Sequence, residues 1–155
     1  MILYFFYNDF KIKKVNTLNI SSMAWFNFNS NEIKSFSGST ALNSIIINSG
    51  GVLTHCGSVS IQNNVIINSN GTFNMRGTLA QGKYQNSYPT ELIINSGGLL
   101  QIEASVVIWG DLRLNSGAKI NFIGNDSPIT IYGKVTKGSN LMITGNYKDT
   151  ENKLK

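Results

Sequence analysis

Ser44-Ile-Ile-Ile-Asn-Ser-Gly-Gly51 decides the fold, because the chain repeats it three more times. The copies are Asn64-Val-Ile-Ile-Asn-Ser-Asn-Gly71, Glu91-Leu-Ile-Ile-Asn-Ser-Gly-Gly98 and Asp111-Leu-Arg-Leu-Asn-Ser-Gly-Ala118. Their asparagines fall at 48, 68, 95 and 115, a 20-residue repeat with one seven-residue insertion near Gln81 to Pro89. Each copy is followed by a second alternating run, then by a small residue at Gly57, Gly77, Ala104 or Gly124. A third apolar run closes the unit: Val59 and Ile61, Leu79, Val106 and Ile108, Ile129 and Ile131. Three short strands per 20 residues is the signature of a parallel β-helix, in which each coil lies on the one before. The reading is an all-β, single-stranded, right-handed parallel β-helix of about four and a half coils, the last half from Lys134 to Ile143.

Stacking the units predicts which side chains point inward, since alternate residues of a strand face opposite sides. Four columns result: Ile45, Val65, Leu92, Leu112; Ile47, Ile67, Ile94, Leu114; Leu53, Phe73, Leu100, Ile120; and His55, Met75, Ile102, Phe122. Only His55 among these sixteen is polar, in a chain that is 41% hydrophobic overall. Asn48, Asn68, Asn95 and Asn115 then lie about 4.8 Å apart along the axis, close enough to hydrogen-bond one another as a ladder. The residue two places on is Gly, or once Asn70, both suited to a backbone with φ > 0.

These Asn-Ser-Gly-Gly turns resemble the repeats of pectin-lyase-like right-handed parallel β-helix proteins. The stretch from Leu92 to Leu154, with Ile108-Trp-Gly110, Ile131-Tyr-Gly133 and Ile143-Thr-Gly-Asn146, is similar to repeats of secreted bacterial adhesin-type surface proteins. The resemblance implies a non-enzymatic structural or adhesive module with an extracellular or cell-surface setting. The same fold also carries polysaccharide lyases, glycosidases and phage tail spikes, so a carbohydrate-active or carbohydrate-binding β-helix is the competing reading. The apolar run Ile2 to Tyr7 is too short for a signal core or a membrane span. One way to reconcile this with a surface setting is that the chain is a fragment, or one open reading frame, of a longer protein.

Residues 1–40 read as an N-terminal cap or leader, 41–146 as the β-helix and 147–155 as a polar tail. The 155 residues hold 21 Asn, 17 Ser and 19 Ile, a composition of strands and turns. One cysteine, Cys56, and one histidine, His55, exclude a zinc site of the Cys/His type and an intrachain disulfide; no metal or cofactor is expected. The net charge of +5 belongs to the ends: +2 over residues 1–43, zero over 44–133 and +3 over 134–155. With no basic stripe along the coils, nucleic acid is not an expected partner.

Glu91 and Asp111 are the best catalytic candidates, since both open a repeat on adjacent coils with Arg113 beside them. Two outward carboxylates about 5 Å apart would suit a retaining glycosidase, although a surface ion cluster is the ordinary explanation. Arg76 and Glu103 share another column, where a salt bridge is expected. Alternation turns His55 inward and Cys56 outward, which separates that pair. Trp109 and Tyr132 occupy equivalent turns and should stack, as a ladder or as a carbohydrate platform. Ile46, Ile66 and Ile93 form an outward apolar stripe that another chain or the N-terminal aromatics could cover.

Overall fold

The computed structural model describes residues 25–83 and 89–155. All its regular elements are β-strands, wound as a parallel solenoid of six coils. The first coil holds β1 (Trp25–Phe28), β2 (Ile33–Ser37) and β3 (Thr40–Leu42); the second holds β4 (Ser44–Ile47) and β5 (Val52–Ile61). Next come β6 (Val65–Ile67) with β7 (Thr72–Gln81), then β8 (Glu91–Ile94), β9 (Leu99–Ile102) and β10 (Ser105–Ile108). The fifth coil is β11 (Asp111–Leu114) and β12 (Lys119–Ile131), the sixth β13 (Val135–Lys137) and β14 (Met142–Asp149). Strands β1, β4, β6, β8, β11 and β13 form one six-stranded sheet in that order, and the others form the second.

The observed register is the one the repeat dictates: Ile45 pairs with Val65, Val65 with Leu92 and Leu92 with Leu112. All sixteen inward positions are buried, none more than 3% exposed. The core is thus a set of aliphatic and aromatic columns along the axis, continued on the third face by Val59, Leu79, Val106 and Ile129. Gln81 replaces an isoleucine in the last column, between Ile61 and Ile108, and is fully buried; its amide donates to the Asn63 carbonyl.

The turns are built as their residues require. Gly50, Asn70, Gly97 and Gly117, each two places after a repeat asparagine, all have φ between 58° and 79°. Asn31 and Asn140 hold the same conformation in the first and sixth coils. The corner between second and third faces is different. In β5 and β7 the strand runs straight through it, and a Cβ on Gly77 would collide with the Gly57 carbonyl oxygen. Where Ala104 stands at that corner, the ladder opens and the strand divides into β9 and β10. Three strands per coil therefore holds for the first and fourth coils, while the others fuse two of them.

Six coils replace the expected four and a half. The additional one lies at residues 25–42, within the segment read as a cap: Phe26 and Phe28 pair with Ile45 and Ile47, and Phe36 with His55. The part of that segment before residue 25 lies outside the described residues, as do residues 84–88 of the insertion. The polar tail is also corrected. Strand β14 continues to Asp149, Tyr147 stacks on Phe122 at 4.5 Å, and Leu154 is buried in the core cluster. Asp149 accepts the Leu154 N–H at 2.7 Å, and Lys153 donates to the carbonyls of Tyr132 and Gly133.

Candidate functional site

Ser44, Glu91 and Asp111 begin strands and Asn64 stands one residue before one, and three of these side chains reach along the axis to the following coil. Ser44 Oγ accepts the backbone N–H of Asn64, and Asn64 Oδ1 accepts that of Glu91. Asp111 Oδ1 accepts the N–H of Lys134 at 2.7 Å. Asp111 therefore does what Ser44 and Asn64 do, holding a strand start in the following coil. Glu91 pairs with Asp111 in register, yet its carboxylate meets the Arg113 guanidinium at 2.5 Å. The three candidates come together as the repeat predicts, and both carboxylates are engaged by structural partners. The Glu91–Arg113 pair is partly exposed and contributes at most about 1 kcal/mol.

The repeat asparagines form the expected ladder. Asn48 donates to Asn27, Asn68 to Asn48, Asn95 to Asn68 and Asn115 to Asn95, each amide N–H₂ to the carbonyl oxygen of the coil before, at 2.6–3.1 Å. A polar ladder also runs along the outward side chains, with Asn74 on Thr54, Thr78 on Ser58 and Thr150 on Thr130. Asn27 had no place in the sequence reading; its coil lacks the Gly-Gly ending.

Arg76 and Glu103 lie in aligned positions, since Met75 pairs with Ile102. Among the described residues no ion pair joins them, and both are exposed, which corrects the expected salt bridge. Cys56 is exposed and His55 buried, as alternation requires. His55 Nε2 lies 3.3 Å from Thr40 Oγ1, while Nδ1 is buried without a partner. Burial lowers the His55 pKa below its ordinary value. The unfolded chain then binds the proton more readily than the folded one. The cost of keeping His55 neutral in the fold is absent above pH of about 6.5 and grows as pH falls toward the folded pKa. A His55→Met variant, which extends the Met75 column, is expected to lose the decline in stability that sets in as pH falls below about 6.5. Urea midpoints across that range, compared with wild type, provide the check.

Trp109 and Tyr132 stack at 4.2 Å with their planes 9° apart. A Cβ on Gly82 would lie 3.2 Å from Trp109 Cβ, so Gly82 stands directly before Trp109 in the same corner. Stacking occupies one face of each ring, and what a sugar would need is an open face. The stripe of Ile46, Ile66 and Ile93 is half-buried, with Asn27 and Arg113 at its two ends.

Among the described residues no three His, Cys, Asp or Glu side chains are grouped to hold a metal ion. Among them, too, no helix is long and apolar enough to cross a membrane. No family model, curated protein or solved structure matches the chain.

Proposed function

We propose that this chain is a non-enzymatic β-solenoid module that serves as a stalk or adhesive surface in a secreted or cell-surface protein of bacterial type. The observation that supports this reading most directly is the engagement of Asp111. Its carboxylate holds the Lys134 N–H, the task that Ser44 and Asn64 perform in earlier coils. A catalytic carboxylate must be free to exchange a proton or attack a sugar carbon; Asp111 is committed to the frame, and Glu91 to Arg113. The polar ladders have the same bearing, since they join coil to coil and leave the outer surface regular.

The test is incubation of the purified chain with neutral and acidic polysaccharides, followed by reducing-end and viscosity assays. No depolymerisation is expected. Cleavage that disappears in Glu91→Gln or Asp111→Asn would overturn the reading in favour of a carbohydrate-active β-helix. Glycan binding is the second reading, favoured by the 49% exposure of Tyr132. It requires retention on a glycan array that is lost in Tyr132→Ala and Trp109→Ala. A protein partner on the Ile46, Ile66 and Ile93 stripe requires binding that is lost when Ile66 is replaced by Lys.

A further inference from the structure

His55 sits at the boundary between the first and second coils. Phe36 precedes it in its inward column, Met75 follows it, and Nε2 lies 3.3 Å from Thr40 Oγ1 of the first coil. The side chain is buried, and Nδ1 has no partner. An imidazolium carries an N–H on both ring nitrogens and needs two acceptors, where this site supplies Thr40 Oγ1 alone. No carboxylate among the described residues faces the ring. The inward positions of β1 to β5 and β7 hold one charged side chain, Lys34, in the next column, with its ammonium 2.7 Å from Glu32. Arg76 of β7 and Cys56 of β5 face outward. A proton on His55 is therefore a buried charge without a counter-ion, and the fold is relieved of it only by giving the ring to water.

The first coil is the least costly part to move. In a solenoid each coil is held by its neighbours alone, and local opening starts where few apolar side chains are buried. Strands β1, β2 and β3 pair with β4 and β5 and, among the described residues, with no other strand. Phe28 and Leu42 are the buried members of this coil's core, whereas each of the four middle coils buries at least five hydrophobic side chains. On the other side of His55, β5 and β7 are paired without a break from Val52 to Ile61.

We propose that His55 is an acid-sensitive latch, which holds the first coil, residues 25–42, on β4 and β5 at neutral pH and releases it when the ring gains a proton. Burial lowers the His55 pKa in the closed coil, and release returns it toward the ordinary value of about 6.5. Opening thus takes up a proton and is favoured as pH falls below that value. Glu32, held below its ordinary pKa by the hydrogen bond from Lys34, stays ionised there and does not supply the effect. Release bares Ile45, Ile47 and Leu53 together with the backbone edge of β4 and β5.

The experiment is hydrogen exchange of the whole chain, read by mass spectrometry one pH unit above and one below about 6.5 and corrected for intrinsic exchange. Peptides of β1 to β3 are expected to lose protection several-fold at the lower pH, with a ceiling of about tenfold set by one titrating histidine. Peptides of β9 and β12 are expected to keep theirs. In His55→Met the protection of the first coil is expected to be equal at the two pH values. If that variant does not fold, His55→Gln, neutral throughout, is read in the same way. Ser37 pairs with Cys56 and both are exposed, so an oxidised Ser37→Cys chain ties β2 to β5 by a disulfide with His55 in place. Its first coil is expected to stay protected at the lower pH, and the reduced form to behave as wild type. Unchanged protection of the first coil in wild type overturns the proposal, as does an equal loss in every coil. So does a loss that persists in the folded His55 variant or in the oxidised Ser37→Cys chain.

Discussion

Phe73→Ala is expected to lower the stability of the chain by about 3–5 kcal/mol, the cost of removing a fully buried aromatic. Phe73 is 0% exposed and sits in the third of six coils, between Leu53 and Leu100 in its column. The spread within such truncations depends on how far the neighbours can collapse into the space. Here they can move little, because β5, β7 and β9 are tied to one another by backbone pairing on either side. The loss should therefore lie toward the upper end. Urea unfolding would show a lower midpoint with an unchanged slope, since the surface exposed on unfolding is nearly the same. Phe36→Ala, in the first coil and only partly buried, is expected to cost less than half as much.

Asn68→Ala has the next largest expected effect, about 2 kcal/mol, because it removes two ladder bonds and leaves two partners unsatisfied. Asn68 donates to Asn48 and accepts from Asn95. Asn115 only donates, to Asn95, and the sixth coil has Gly138 where a further asparagine would stand. Asn115→Ala is accordingly expected to cost about 1 kcal/mol, one bond of the part-buried kind. The ratio between the two variants, measured by chemical unfolding, separates a cooperative ladder from four independent turn residues. Equal losses at both positions would mean that each asparagine acts only on its own turn.

The middle of the solenoid was legible because its two signals reinforce each other. The asparagine–glycine turn sets the 20-residue phase, and the apolar alternation then aligns without adjustment. The ends were less legible for physical reasons that can be assigned to residues. In the first coil Asn29-Ser30-Asn31 repeats the triplet of Asn68-Ser69-Asn70, and Asn31 adopts the same φ > 0 turn. Glu32 replaces the closing glycine, however, and Lys34 stands where the pattern asks for an apolar residue. In the fifth coil three extra residues between Phe122 and Ile129 shift the phase from 20 to 23, as the pairing of Leu112 with Val135 shows. Gly138 then removes the marker asparagine from the sixth coil. The burial of Leu154 had no periodic signal at all, since it follows the turn at Asn152 that ends the regular strand.

The candidate site was legible in position but not in role. Equal placement of Glu91 and Asp111 on adjacent coils follows from the repeat, and the structure has that pairing. Nothing in the spacing distinguishes a carboxylate that faces solvent from one that turns along the axis to hold the next strand. That difference rests on the Lys134 N–H, which becomes a neighbour of Asp111 only through the 23-residue fifth coil. Stacking of Trp109 on Tyr132 followed from their equivalent turns, Ile108-Trp-Gly110 and Ile131-Tyr-Gly133.

Cys56 permits the most direct test of the parallel register itself. It is exposed, it is the chain's one cysteine, and it pairs with Arg76 of the next coil. Paired strands lie about 4.8 Å apart, within the range of Cα separations that a disulfide bridges. In an Arg76→Cys variant, mild oxidation is predicted to join Cys56 to the introduced thiol by an intrachain disulfide in nearly every molecule. An Asn74→Cys variant displaces the second thiol by two residues along the strand, beyond bridging distance, and is predicted to stay reduced. Bridging in the Asn74→Cys variant, or no bridging in the Arg76→Cys variant, would contradict the solenoid register.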